Sequence, residues 1–228
     1  MRYHIISYHV GTQCEFLSSE FGMIHLSAGE LLRNERASDS VNGKLIESYL
    51  KEGKIVPVQI TIDLLRQAME KYQSNRYLID GFPRNWDNIR GWESTMEDNC
   101  DVEGVLFLDC PEEILETRIL GRGLTSGRSD DNIETIRKRF STYKESTIPI
   151  LEYYDDSKRL IRVRGDQDKN MVFDNLKVAV LPLIEKEVLA IQNILLQNVE
   201  NWVEYSHLCD ASVSTIVNSG NEVSEFKE

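Results

Sequence analysis

Basic charge is what this chain most lacks: 26 lysines and arginines face 38 aspartates and glutamates, a formal net charge of −12. With a sequence pI near 4.9 it has no field with which to wrap a nucleic-acid backbone or lie on an anionic bilayer. No nucleic-acid or membrane partner is therefore expected, and any grip on phosphate must come from locally grouped arginines. Paired cysteines are missing too. Cys14, Cys100, Cys110 and Cys209 are scattered with no C-x-x-C spacing, which argues against a zinc site or a disulfide framework and for reduced thiols. No apolar run approaches the ~20 residues that span a bilayer. Residues 1–16 have neither the apolar stretch of a signal peptide nor the Arg- and Ser-rich composition of a transit peptide. The expectation is a soluble protein of the cytoplasm, with the nucleus also open to it.

What is present is a chain able to bury a real core, 41% hydrophobic over 228 residues, and one run that carries chemistry. In Tyr77-Leu78-Ile79-Asp80-Gly81-Phe82-Pro83-Arg84 an apolar, β-prone segment stops at an acid, a glycine, a rigid proline and an arginine. Ligands of open α/β sheets bind beyond the carboxyl ends of the strands, so Asp80 and Arg84 should face whatever is bound. An acid beside an arginine suits a magnesium-bound polyphosphate: the carboxylate holds the metal's waters and the guanidinium forks onto phosphate oxygens.

Apolar runs at Tyr3 to Tyr8, Tyr77 to Ile79, Val105 to Leu108 and Leu160 to Val163 read as strands, with helical periodicity between them. That alternation predicts a parallel sheet covered by helices on both faces. Ser27-Ala28-Gly29-Glu30 is a capping box before Leu31-Leu32 and places Arg33 one turn into a helix. Ser40 to Leu50 reads as a second helix ending at Gly53, and Pro57 to Tyr72 as a third with proline in its first turn. Two helices in succession without a strand predict an inserted helical subdomain. From Lys169 the pattern is helical to about Leu208, with Pro182 able to kink it, and the polar end should fray.

A second basic set follows in Gly121-Arg122-Gly123-Leu124-Thr125-Ser126-Gly127-Arg128-Ser129-Asp130-Asp131-Asn132, with Arg139 beyond it. Its three glycines predict a mobile lid whose arginines close over transferring phosphate and exclude water.

Together, Gly11-Thr12-Gln13-Cys14, His25 to Arg33, Gly53 to Pro57, Asp80 to Arg84 and Gly127 to Asn132 resemble the nucleoside monophosphate kinases of the adenylate kinase superfamily, most of all the eukaryotic UMP-CMP kinase branch. The resemblance runs from Gly11 to roughly Lys186. It implies an α/β fold with a P-loop NTPase-type parallel sheet flanked by helices, a helical insert for the acceptor nucleotide over about 27–57, and a short lid over about 121–132. The kinase domain would span 1–186 and a helical extension 187–228.

The implied activity is transfer of the ATP γ-phosphoryl to UMP, CMP or dCMP with Mg2+, in pyrimidine nucleotide metabolism, by a monomer. Carried over by position, Arg84, Arg122, Arg128, Arg139 and Asp80 would be catalytic, with Asp80 reaching Mg2+ through water. ATP would lie against Gly11, Thr12, Arg122, Arg128 and Gln167. The acceptor would be held by Arg33, Lys54, Ile55, Val56, Gly81, Arg84, Asn88, Arg128 and Arg139. An amide at Asn88 offers both a donor and an acceptor to a pyrimidine edge, where adenylate kinases usually carry Gln.

The chain departs from that family at its start. Where the family has a glycine-rich loop and a lysine that reaches the terminal phosphates, Val10 stands at the lysine position, and His4, Ile5, Ser7 and His9 at those of the glycines. Two readings of this lost or missing P-loop stand: a chain that continues upstream, which the intact lid favours, or a nucleotide-binding regulatory or scaffold protein with impaired turnover. The second departure is the tail. Glu187 to Leu196 and Asn201 to Ser212 resemble the opening of the association domain of calcium/calmodulin-dependent protein kinase II, which would allow self-association; an amphipathic helix packed on the kinase core is the plainer alternative.

Taken singly, these residues have bland readings. Arg33, Arg122 and Arg139 would be helix-surface charges, Gly127-Arg128 a loop and Asp80 a turn residue; their joint order carries the argument. Arg66, Arg90, Arg118 and Arg137 read as surface charges only. Core packing is the expected role of Trp86 and Trp92, with Trp86 able to border the acceptor site.

Overall fold

The structure is a computed structural model that describes residues 3–8, 11–38, 40–96, 100–126, 128, 130–185, 189 and 192. Five strands form one wholly parallel sheet: β1 (Tyr3–Tyr8), β2 (Ile24–Ser27), β3 (Arg76–Asp80), β4 (Asp101–Asp109) and β5 (Leu160–Arg164), in the order β2-β3-β1-β4-β5. β2 is absent from the sequence reading, because four residues running straight into a helix cap give almost no periodicity. Its register sets the site. Ser27 pairs with Asp80, and Ser7 of β1 pairs with Asp80 from the other side, so three strands end level.

Parallel strands need helical crossovers that cover both faces. In β3, Tyr77 and Ile79 enter a core with Leu26, Ile62, Leu65, Met69, Phe82 and Trp92, while Leu78, equally buried, lies on the alternate face. Val105 and Phe107 of β4 pack with Ile89, Ile150, Leu151 and Tyr154 in a second cluster. Both indoles turn out to pack: Trp92 against Phe82 and the half-exposed Trp86 edge-on to Tyr153.

The expected insert is α2 (Ala28–Ala37) and α3 (Val41–Lys51), which follow α1 (Gly11–Phe21) and β2 and lead to α4 (Val58–Tyr72). Ser27 caps as read, its Oγ accepting from Glu30 N–H, and Ser40, read only as the start of a helix, is also a cap, its Oγ accepting from Gly43 N–H. Pro57 is the N-cap of α4 rather than a residue of its first turn. The insert has a small core of its own in Leu32, Ile46 and Val56.

After α5 (Trp86–Met96) and β4 come α6 (Glu112–Ser126), α7 (Ile133–Thr142), a π-helical turn (Tyr143–Thr147) and α8 (Ile148–Asp156). The lid expected over about 121–132 is helical in its first half. Residues 121–126 are not loop but the last turns of α6. Glycine in a helix costs about 1 kcal/mol relative to alanine. At Gly123 the missing side chain makes room for the chain at Asp131, since a Cβ would sit 2.6 Å from the Asp131 carbonyl oxygen.

Residues 169–180 are helical and bury Val172, Leu176 and Val180. Met1–Val180 forms one compact unit and Leu181–Glu228 another, in which residues 181–185 are helical through Pro182. The tail resemblance lies outside the described residues, save the helical positions 189 and 192.

Candidate active site

The site starts from the turn after β3. Gly81 adopts φ +76°, and the Phe82-Pro83 peptide is cis. Arg84 folds back on the strand end, where its Nε donates to the Gly81 carbonyl at 2.7 Å. Arg84 N–H donates to Asn88 Oδ1 at 2.9 Å, and Asn88 N–H to Asn85 Oδ1 at 2.9 Å. Asn88 is 2% exposed. Its acceptor oxygen is thus engaged with the backbone, and the amide NH2 is what it has to offer a base. Arg84 keeps its terminal guanidinium nitrogens without a hydrogen-bond partner among the described residues.

Asp80 sits beneath this turn. Its Oδ2 is 3.9 Å from where a Cβ on Gly11, the first residue of α1, would stand. Burial raises the pKa of the Asp80 carboxyl above its ordinary value, opposed by the nearby His25 and Arg84. The buried His25 Nε2 has no hydrogen-bond partner among the described residues. Among the described residues no group of three His, Cys, Asp or Glu could hold a metal. A lone carboxylate oxygen that accepts no hydrogen bond from these residues fits Mg2+, which keeps most of its waters and takes its other ligands from substrate phosphate.

Arginines converge from four further positions. Arg122, carried on α6, forks onto Asp131 through Nε (2.7 Å) and Nη2 (2.8 Å), and the Asp131 side chain is fully buried. That hydrogen bond raises the Arg122 pKa. Burial alone would push the Asp131 carboxyl up, but the Arg122 hydrogen bond and the charges of Arg122, Arg139 and Arg128 hold it below its ordinary value. Arg139 on α7 lies 3.4 Å from Asp131 and 3.5 Å from Asp130. Burial, then the neighbouring Arg84, lowers its pKa. Arg33 on α2 is likewise lowered by burial and then by Arg128. Arg128 pairs with the exposed Glu30 of the insert at 3.4 Å. Buried Asp130 has an Oδ1 without a partner. Arg33 and Arg139, both lowered by burial and by neighbouring arginines, together with the unused guanidinium donors of Arg84, make a site for a multiply charged anion.

The remaining expected residues divide. Gly53, at φ +65°, seats the insert on α7: a Cβ there would be 3.0 Å from Lys138 Cβ and 3.1 Å from Arg139 N. Thr142 Oγ1 donates to the Gly53 carbonyl at 3.0 Å. Lys54 points to solvent and pairs with Glu52, while Val56 is core, so of this segment the backbone and Ile55 are left to line a pocket. Gln167 is engaged through Oε1 with Asn175 at 3.0 Å. Arg118, read from sequence as surface charge, reaches the Gly165 carbonyl at 2.6 Å and the Gln167 carbonyl at 3.4 Å. It ties α6 to the loop after β5. Its position one turn before Arg122 was the signal available.

The expected phosphate cradle falls on residues 9 and 10, which lie outside the described residues; the sequence there is His9-Val10, and the first lysine of the sequence is Lys44.

A family model described as adenylate kinase matches residues 9–159. The chain belongs to the adenylate kinase family. The match begins where β1 has ended and covers every arginine of the site. Curated relatives agree. The chain is 49% identical to the UMP-CMP kinase of Homo sapiens over 183 residues, 78% of this chain and 91% of the relative. It is 50% identical to that of Danio rerio over 173 residues, 73% and 88%, and 48% identical to that of Gallus gallus over 183 residues, 78% and 91%. This family member is accordingly a phosphotransferase, a nucleoside monophosphate kinase. Among the described residues, no helix is long and apolar enough to cross a membrane.

Proposed function

We propose that the chain transfers the terminal phosphoryl of ATP to UMP or CMP, dCMP included. The observation that carries this reading is the convergence of Arg33, Arg84, Arg128 and Arg139 near the end of β3, beside a buried Asn88 whose Oδ1 is taken by the Arg84 N–H and whose amide NH2 has no acceptor among the described residues. Arg33 and Arg84 hold the acceptor phosphate, and Ile55 with the backbone at Lys54 and Val56 lines the ribose and base. Asn88 donates to a pyrimidine oxygen or ring nitrogen, and its fixed orientation selects a base that accepts at that edge.

An acceptor phosphate oxygen attacks the γ-phosphorus in line as the bond to the bridging oxygen breaks, releasing ADP and the nucleoside diphosphate. No protein nucleophile is needed. The work is positioning and charge neutralisation, which falls to Arg84 and Arg139 at the transferring group and to Arg122 and Arg128 from the donor side, with Gly11, Thr12 and the Gln167 loop beside ATP. Asp80 would hold Mg2+ through a water, and the ion would neutralise polyphosphate charge.

A second reading is favoured by one observation, that Val10 rather than a lysine precedes Gly11-Thr12 at the start of α1. On it the protein binds nucleotide but turns over at least ~10³-fold more slowly than a complete site, the scale of one phosphate-stabilising group. A coupled assay with ATP against UMP, CMP and AMP, run beside equilibrium binding, separates the two. Diphosphate formed from UMP or CMP in preference to AMP supports the kinase reading. Tight UMP or CMP binding without diphosphate supports the second, and neither binding nor turnover refutes both.

A further inference from the structure

Arg84 is held by its Nε bond, by Asn88 and by one group that neither the site reading nor the sequence motifs include. Thr147, 4% exposed, donates from Oγ1 to the Arg84 carbonyl at 2.9 Å across 63 positions of sequence. The backbone explains how it gets there. Helix α7 does not run directly into α8 but passes through the π-helical turn Tyr143–Thr147, where Ile148 N–H donates to the Tyr143 carbonyl five residues back. Pro149, at the start of α8, has no N–H to continue the ladder. The wider turn takes up an extra residue and brings Thr142 and Thr147, five apart, to the same side of the rod. Such single π turns recur at functional sites.

From that side the two hydroxyls reach the two halves of the acceptor site. Thr142 Oγ1 donates to the Gly53 carbonyl of the insert turn, sharing its proton with the Lys138 carbonyl at 3.1 Å. Thr147 reaches the β3–α5 turn. Arg139, on the same rod, lies against Gly53 and beside Asp130 and Asp131.

We propose that Thr147 is a positioning residue for the acceptor phosphate, fixing the Arg84 backbone in register with Arg139, with Thr142 docking the insert on the same rod. The inference rests on the reading that Arg84 holds the phosphate of UMP or CMP. Without the hydroxyl, a part-buried carbonyl loses its donor and the turn carrying Arg84 is free to shift. A shift of a fraction of an ångström is enough to spoil a bidentate grip.

The test titrates UMP into the full chain and its Thr147→Val and Thr147→Ser variants, recording affinity by calorimetry, the 31P resonance of bound UMP, and thermal unfolding. Thr147→Val should weaken UMP about tenfold, the fold-change of one lost hydrogen bond, and move the bound 31P resonance. Thr147→Ser, which keeps the hydroxyl, should restore both. If Thr147→Val fails to fold, Thr147→Ala is read in its place below its unfolding temperature. Affinity within twofold of wild type and an unmoved resonance, whatever the melting temperature does, overturn the inference and leave Thr147 a packing residue. A wild-type chain that binds neither UMP nor CMP overturns the proposed function, and this inference with it.

Discussion

Replacing Gly81 with alanine should damage nucleotide binding far more than it damages the fold, and a matched glycine shows why. Gly81 and Gly22 both sit at positive φ, +76° and +62°, where a side chain costs roughly 1–2 kcal/mol. At Gly22 an added Cβ meets nothing within 4 Å; at Gly81 it comes to 2.8 Å of Arg84 Nη2. That atom is the end of a flexible side chain, so the clash is relieved by moving the guanidinium, which also gives up its 2.7 Å bond to the Gly81 carbonyl. Both variants should therefore lose about 2–8 °C of melting temperature, at about 2–4 °C per kcal/mol for a chain this size. Only Gly81→Ala should also lose the phosphate contact, where a charged hydrogen bond is worth about 1.5–3 kcal/mol, or roughly 10- to 150-fold in affinity. Calorimetric titration of UMP into wild type, Gly22→Ala and Gly81→Ala measures this directly. If Gly81→Ala binds UMP as tightly as Gly22→Ala does, the assignment of Arg84 to the acceptor phosphate is wrong.

Other perturbations give signed outcomes. The Asp80 carboxyl is raised by burial, so the fold is better served by its protonated form, and the stability this brings is lost as pH rises through the folded pKa. Asp80→Asn should melt higher than wild type at neutral pH, with the gap closing on acidification, while phosphoryl transfer falls; an unchanged or lower neutral melting temperature counts against the burial argument. Asp131 is the opposite case, held below its ordinary 3.8, so its stability is present above that value and lost as pH falls through the folded pKa. Asp131→Asn should cost about 1–2 kcal/mol at neutral pH, less than the ~3–5 of a fully buried pair because Arg122 is partly in water, and should flatten the acid limb of the melting curve. Asn88→Ala removes the acceptor of the Arg84 amide and the amide that would face the base. It should cost about 1–3 kcal/mol and narrow the preference for UMP and CMP over AMP in competition binding; a variant that discriminates as well as wild type would clear Asn88 of that role.

Some of this site could be seen in the linear chain because its chemistry lies at the ends of regular elements. Asp80 and Arg84 flank a turn whose glycine and proline interrupt a strand pattern. The capping box at Ser27 and the helical pattern from Ser40 advertise the insert. Other features gave no such signal. β2 is too short for an alternation, and it is a strand because Ser27 pairs with Asp80 across the sheet. The end of α6 looks like a glycine-rich loop until Asp131 folds against Gly123 and Arg122. Arg118 resembles any helix-surface arginine until the Gly165 and Gln167 carbonyls meet it. Thr147 is polar and unremarked in a stretch that reads as helix, and the π turn that carries it ends just before Pro149, which has no N–H to continue the ladder.

By itself, then, the sequence determined the layered α/β class, the insert, the order of the arginines and the absence of a lysine before Lys44, since periodicity, caps and residue identity are local properties. The tertiary structure alone decided which charges share one volume and which backbone turns are clamped together. Those depend on strand order and on hydrogen bonds between residues such as Thr147 and Arg84, 63 positions apart, and no pattern along the chain records which donor will find which carbonyl once the sheet has closed its neighbours around them.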